Sequence, residues 1–367
     1  MVPGGTETYC VTVARELARR GHEVVLFADS IGPYADWAEE LGVDVARAET
    51  DLPNACDAVF ANDAITAGTL AGRYPESRCV YCVHSTVHEV QAPPLAPGLI
   101  DAIIALSERF GAFARAFALD VPVIRLRQPI DTDWFTPSVP PRRPPRRALL
   151  LGNSLAGPRR DALVETWTAH GIDCRQVGRP RNAMNDVRPE IADADIVVAR
   201  GRAAMEGMAA GKAVYVFDDG GGDGWVTPET YPAIEADNFA GMATEVPVDR
   251  RRLAADLAAY DPDMGWINRE LAVTYHNARS HAQGLVEVLR GPASPRGDST
   301  TSAAAAARTV RFAWRMQGRA AAAETELAQA RHQLASTQQQ LDALRGSRLV
   351  RAALAVGRIR DRLRRRR

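Results

Sequence analysis

Ala194 to Thr227 reads ADIVVARGRAAMEGMAAGKAVYVFDDGGGDGWVT. Ile196 to Ala199 is a short apolar run suited to a buried parallel strand, and Arg200-Gly201-Arg202 follows it just before a stretch of helical period. The first N–H groups of a helix have no intrahelical partner and carry the positive end of its dipole. That junction therefore suits a phosphate, with Gly201 allowing close approach and Arg200 and Arg202 adding fixed charge. The helix is expected over residues 202–210, stopped by Gly211 at a left-handed C′ position. Ala213 to Phe217 is the next buried strand. It empties into Asp218 to Gly224, whose four glycines let backbone close around a ligand at the carboxyl ends of the strands. An ordinary βαβ unit with a glycine-rich turn has the same spacing.

Met205-Glu206, Gly211 to Val214 and Gly221-Gly222 resemble the donor-site signature of GT-B glycosyltransferases of the large retaining family 4 type. Members carry a Glu, seven residues and a second Glu in a Leu-Glu-Ala-Met-Ala-Cys-Gly-type helix. The second Glu maps onto Glu206, and the resemblance implies that it hydrogen-bonds the nucleotide ribose, as two acceptor oxygens can do against a vicinal diol. The first is replaced by Val198. The chain is more similar still to a bacterial subgroup with a Gly-Arg-Ala-Leu-Glu helix and a Gly-Gly-Asp-Gly-Trp-Val-Thr loop, here Gly221 to Thr227.

A length of 367 residues predicts about two domains with room for buried cores. Lys+Arg and Asp+Glu both number 45, so no global field favours nucleic acid or membrane. Lys212 is the only lysine, a mark of GC-rich coding DNA more than of function. Cys79 and Cys82 would point to opposite faces of a strand, and no second pair completes a zinc site. No 18-residue apolar stretch and no signal peptide are present, which sets the expectation of a cytoplasmic, soluble body.

The amino-terminal half alternates in the α/β manner. Helices are expected over residues 8–20, 37–41 and 65–73, and strands over 22–28, 43–46, 58–61 and 79–83. In the resembled family a Gly-Gly-x-Glu loop follows a first central strand. Gly4 and Gly5 match its glycines and Glu7 its acidic position, so they are expected to face donor phosphates or acceptor. No strand precedes them here, which sets the expectation that the given sequence begins downstream of the true start. His84 follows a strand at the place where the family has a His near the donor sugar; a satisfied polar group at a strand end is the other reading. Asp101 to Glu108 resembles a structural strand of the family, with Ser107 capping the next helix. Arg127 to Pro137 resembles the segment that closes its first domain.

Ser138 to Arg147, with four prolines and four arginines, reads as a stiff linker between a domain at 1–137 and another at 148–291. In the loop after strand 148–151 the family places a Gly-Arg and then a Lys on the donor diphosphate. Asn153 stands at the Arg position and Arg159 or Arg160 near the Lys. Residues 270–289 read as a long helix crossing back to the first domain. Three Asp-x-Asp pairs, at Asp131, Asp193 and Asp261, lie where capping and turn formation, not metal binding, is expected.

Residues 292–320 read as a flexible tether. Leu327, Leu334 and Leu341 fall every seven residues, a short coiled-coil seam over 321–346. Residues 347–367 close the chain as a basic amphipathic tail, and from Arg345 to Arg367 ten arginines face one Asp, as suits an anionic membrane surface; a nucleic acid backbone is the weaker alternative.

The resemblance, which spans about residues 3–290, implies an α/β protein of two Rossmann-like domains with parallel sheets. It implies a retaining transferase without protein nucleophile or metal, with a nucleotide diphosphate sugar as donor substrate, no cofactor, and a lipid-linked or polysaccharide acceptor in cell-envelope glycan synthesis. The expected location is cytoplasmic, peripheral at the inner face of the plasma membrane, with a homo-oligomer or partner joined through the coiled coil. The other reading is a non-catalytic scaffold of the same fold whose tail serves assembly.

Overall fold

The computed structural model describes residues 4–28, 30–88, 91–153, 155–178, 182, 184, 186–218, 221–244, 246–296 and 299–346. The chain divides into two compact units between Ala307 and Arg308.

The first unit contains two lobes. The amino-terminal lobe runs α1 (Gly5–Arg19), β1 (Val25–Phe27), α2 (Pro33–Glu40), β2 (Asp44–Ala46), β3 (Ala58–Ala61), α3 (Ala64–Arg73), β4 (Arg78–Val83), β5 (Ala102–Ala105), α4 (Glu108–Arg115) and β6 (Val123–Arg125). Strands β3, β4, β5 and β6 pair in that order, all parallel, while β1 pairs in parallel only with β2. Among the described residues no ladder joins the two sheets. Helix α1 serves both cores. Tyr9, Val13 and Leu17 pack with Val59, Ala61 and Tyr81 of the larger sheet, whereas Val11 and Ala14 pack with Ala38 and Val43 beside the smaller one. Asp63 and Ser107 cap α3 and α4 by accepting from Thr66 N and Phe110 N.

The second lobe runs β7 (Arg147–Leu151), α5 (Pro158–Ala169), β8 (Asp173–Val177), α6 (Arg188–Asp193), β9 (Ile196–Ala199), α7 (Gly201–Ala209), β10 (Ala213–Asp218), β11 (Gly221–Trp225), α8 (Tyr231–Ala236), α9 (Arg250–Ala258) and α10 (Asp263–Tyr275). Its one sheet has the order β11-β10-β9-β7-β8, parallel except for β11. Alternation along each strand splits the core. Leu149, Leu151, Val197, Ala199, Val214 and Val216 face one layer with α7 residues such as Met205. Leu150, Ile196, Val198, Tyr215 and Phe217 face the other, with Trp167 of α5 and Leu253 of α9. Val198, where the resembled family has its first Glu, is thus sealed on the side away from α7.

Expected ligand loop Asp218 to Gly224 is instead largely the antiparallel strand β11, with residues 219 and 220 outside the described residues. A Cβ on Gly221 would stand 2.5 Å from the Gly241 carbonyl oxygen, and one on Gly222 3.1 Å from Val248. Gly221 thus lets backbone pack on backbone and Gly222 lets side chains close on the strand, so packing by itself accounts for both glycines.

The segment 138–147 is docked on the second lobe. Buried Asp195 accepts from the backbone N–H groups of Arg142, Arg146 and Arg147 and pairs with the Arg142 guanidinium at 3.1 Å. The ammonium of buried Lys212 donates to Val139 O and Ala192 O; burial lowers its pKa to about 8.

Where one long helix was expected over 270–289 there are two. Helix α10 ends at Tyr275, Ile130 bridges to Asn277, and Asn277 caps α11 (Ala278–Leu289) by accepting from Arg279 N. Helix α10 packs on α7 and β10, but α11 packs on α1 and β4 of the first lobe, so the return crossing falls at the break.

Residues 292–296, expected as tether, are latched to the first lobe. The Asp101 carboxylate accepts from Cys79 N, Ser294 N and Arg296 Nη2, and the Arg296 side chain is 0% exposed. A carboxylate buried at the foot of a sheet needs such partners, and the chain supplies them from its far end. From Ser299 the tether reading fails again: α12 (Ser299–Gly346) is continuous helix through the alanine-rich run at 303–307. In the second unit Leu327 and Leu334 lie exposed on α12, and the arginine-rich tail at 347–367 lies outside the described residues. No helix among the described residues is long and apolar enough to cross a membrane.

Candidate functional site

In an open parallel sheet the crevice for ligands lies outside the carboxyl ends of the strands where their order reverses. Here β7 has β8 on one side and β9 on the other, so the reversal falls between the β7 loop at Gly152-Asn153 and the β9 turn at Arg200-Gly201-Arg202. Both line a cleft of about 950 Å³ whose opposite wall is the first lobe: Gly4 and Gly5 before and at the start of α1, and His84 after β4.

The turn at α7 is built with local strain. Gly201 has φ +54°, and the consecutive residues Asn238 and Phe239 have φ +60° and +56°. That pair presents the Phe239 carbonyl to Gly201 N at 2.8 Å, taking up the first helical donor; Arg202 and Ala203, next along the first turn, line the cleft.

Glu206 lines the cleft one turn into α7, buried and paired with Arg202 Nε at 3.1 Å. Burial pushes its carboxyl above the ordinary value, and the Arg202 charge and hydrogen bond oppose that. Arg202 was expected to meet a diphosphate. Its guanidinium also donates to Pro129 O at 2.9 Å and Thr12 Oγ1 at 3.0 Å, so three N–H groups go to the protein. Arg200 is the more accessible, 52% exposed, and pairs with Asp218.

His84 donates from Nε2 to Asn62 Oδ1 at 2.7 Å and stands edge-on to Tyr9. Burial, then the neighbouring His281 and Arg202, bring its pKa down to about 3, so the imidazole is neutral at pH 7. Behind it, Tyr9 donates to His281 Nε2 at 2.9 Å, the tautomer being set by the bond from His281 Nδ1 to Arg127 O.

The expected residues therefore divide. Gly4, Gly5, His84, Asn153, Gly201, Arg202 and Glu206 line the one cleft. Arg159, Arg160, Gly221 and Gly222 do not: Arg160 donates to Gln176 and Asp161, because α5 starts at Gly157-Pro158 with that face toward β8.

Sequence reading missed three features of the wall. Arg109 of α4 pairs with Asp237 across the lobes at 2.9 Å, Arg15 of α1 pairs with Asp131 at 2.7 Å, and the Trp134 ring carries Arg188 at 3.6 Å. These residues lie far apart in the chain, and no local pattern joins them. Asp131 also accepts from Asp133 N and Trp134 N, and Asp261 from Asp263 N, which is turn formation.

Fold and site thus define a two-lobed α/β protein with a cleft at the sheet-order reversal. No protein-family profile matches the chain, and no curated protein matches it. Among solved structures it is similar to sucrose-phosphate synthase from Thermosynechococcus elongatus, at 13% identity and TM-score 0.45, covering 78% of this chain and 93% of that one. The glycotransferase of kitacinnamycin overlaps at 16% identity and TM-score 0.43, over 76% and 94% of the two chains. MurG of Acinetobacter baumannii does so at 14% and 0.40, over 78% and 96%.

Proposed function

We propose that the chain is a GT-B glycosyltransferase that moves a sugar from a nucleotide diphosphate sugar to a lipid-linked or polysaccharide acceptor. The observation that carries this reading is the convergence on one cleft of the α7 start, Glu206 and Asn153 from one lobe with Gly4, Gly5 and His84 from the other. The ribose diol is assigned to Glu206 and the diphosphate to the α7 start with Arg200. Charge developing on the leaving diphosphate is then met by fixed donors and a guanidinium, without metal. In this reading the neutral His84 hydrogen-bonds the transferred sugar, and retention of configuration is part of the same proposal. An amphiphilic acceptor is supported by three exposed apolar side chains on the cleft lining, Val87, Met184 and Met242. The envelope role, an inner-face membrane location and contact of residues 347–367 with anionic lipid belong to this reading too.

Titration with UDP, GDP and dTDP tests it: one of them is expected to bind at millimolar level or better, and Glu206→Ala to weaken it by about 1 to 3 kcal/mol. No binding of any of the three would favour instead a non-catalytic scaffold, the reading supported by Leu327 and Leu334 lying exposed on α12.

A further inference from the structure

Arg202 and Arg200 are two residues apart, and both were expected to serve a diphosphate. Their surroundings separate them. Arg200 sits on the cleft rim with Asp218, open to solvent. Arg202 is buried and reaches three partners on three parts of the fold: Glu206 on its own helix, Pro129 O in the segment leaving the first lobe, and Thr12 Oγ1 on α1. Thr12 in turn donates to Thr8 O, one turn from the Gly4-Gly5 entry to α1. Three of the five Arg202 N–H groups, one on each nitrogen, thereby fix protein groups, and the only one of the three partners with a second acceptor oxygen is Glu206, a residue of the cleft lining.

We propose that Arg202 is a positioning residue: it holds the Glu206 carboxylate in place and ionised for a nucleoside diol, and it ties that carboxylate to α1 across the cleft. The inference rests on the nucleotide-binding reading above. A buried carboxylate without a cationic partner takes up a proton more readily, and a neutral carboxyl cannot accept from both hydroxyls of a diol through both oxygens. The other groups around the pair do not replace the lost charge. Asp131 is held by Arg15, Tyr9 and Cys10 of α1 and Tyr34 of α2 bring no positive charge, and His84 is neutral.

The test compares a nucleoside with its diphosphate. With uridine and UDP, or guanosine and GDP, or thymidine and dTDP if that is the pair the wild type accepts, saturation-transfer NMR and calorimetry give both affinities. Arg202→Gln is expected to weaken nucleoside and diphosphate by the same factor, about 10- to 100-fold. Arg200→Gln should weaken the diphosphate and spare the nucleoside. A loss in R202Q confined to the diphosphate would make Arg202 a phosphate ligand and overturn the proposal, as would an equal nucleoside loss in R200Q. The matching nucleotide diphosphate sugar, which gains no proton between pH 5.5 and 8, adds a second reading. Its affinity should fall on the acid side at a midpoint about 1 to 3 pH units higher in R202Q than in the wild type; an unmoved midpoint overturns the proposal. Should R202Q fail to fold, Thr12→Val serves: a smaller loss shared equally by nucleoside and diphosphate supports the tie, and no loss, or loss of the diphosphate alone, refutes it. If the wild type binds no nucleotide, the functional reading itself has failed, which is a different result from any of these.

Discussion

The two lobes solve the same problem with different means. The second closes its sheet within itself: five strands in one ladder, both faces covered, and the linker pinned by Asp195. The first has its strands in two sheets of two and four, bridged by α1 and braced from outside by residues 276–296. Helix α11 lies on α1 and β4, His281 accepts from Tyr9, and Arg296 meets Asp101. Local completeness lets one lobe build its cleft-lining turn from its own sheet, whereas the other depends on contacts separated by about two hundred residues of chain.

The largest effect that sharpens this contrast is expected at the brace. Arg296→Ala leaves the Asp101 carboxylate buried beside two backbone donors and without its cation, at a cost of about 3 to 5 kcal/mol. Urea denaturation measures it, and hydrogen exchange at Val80 to Val83 should show the loss in the first lobe. A cost under about 1 kcal/mol would mean that the brace is decorative.

Next comes the turn of the second lobe. A Cβ on Gly207 would stand 2.9 Å from Val197 Cβ, so Gly207→Ala must push α7 off β9, at about 1 to 3 kcal/mol. Because Gly201 and Glu206 ride on α7, nucleotide affinity should drop with it. Unchanged stability and affinity would show that this helix has slack.

Acid should then act where the lobes join. Burial brings His276 and His281 down to about 4, so both are neutral in the folded chain while the unfolded chain protonates near 6.5. The unfolded state binds more protons in that interval. The contribution is complete above about pH 7 and is lost as pH falls from about 6.5 toward 4, near 1 kcal/mol for each histidine at pH 6. Thermal melts of His276→Gln and His281→Gln should lose part of that slope; identical slopes would remove the histidines from the acid response.

The smallest expected difference is in exchange rates. Amides of Val25 to Phe27, which among the described residues pair only with β2, should exchange at least about tenfold faster than those of Leu149 to Leu151, which lie between β8 and β9. Equal protection would say that the small sheet is better held than its pairing shows.

What the sequence by itself determined lies within short windows. The apolar runs at 58–61, 148–151 and 196–199, the Ser107 cap and the Gly211 stop all depend on neighbours a few residues away, and the structure has each of them. The convergence of Gly4, Gly5, His84, Asn153, Gly201 and Glu206 on one cleft was legible through resemblance, since spacing alone does not place one lobe against the other. Only the tertiary structure decided the rest. Gly221 packs on the Gly241 backbone and Gly222 on the Val248 and Phe217 side chains, the crossing breaks at Asn277, and residues 292–296 are latched instead of loose. Arg202 carries the same lesson in one side chain. A guanidinium at a helix start suits a phosphate by local electrostatics, yet Thr12, Pro129 and Glu206 take three of its five N–H groups. A buried donor is satisfied by whichever acceptor the packing brings within about 3 Å, and packing is a property of the whole chain.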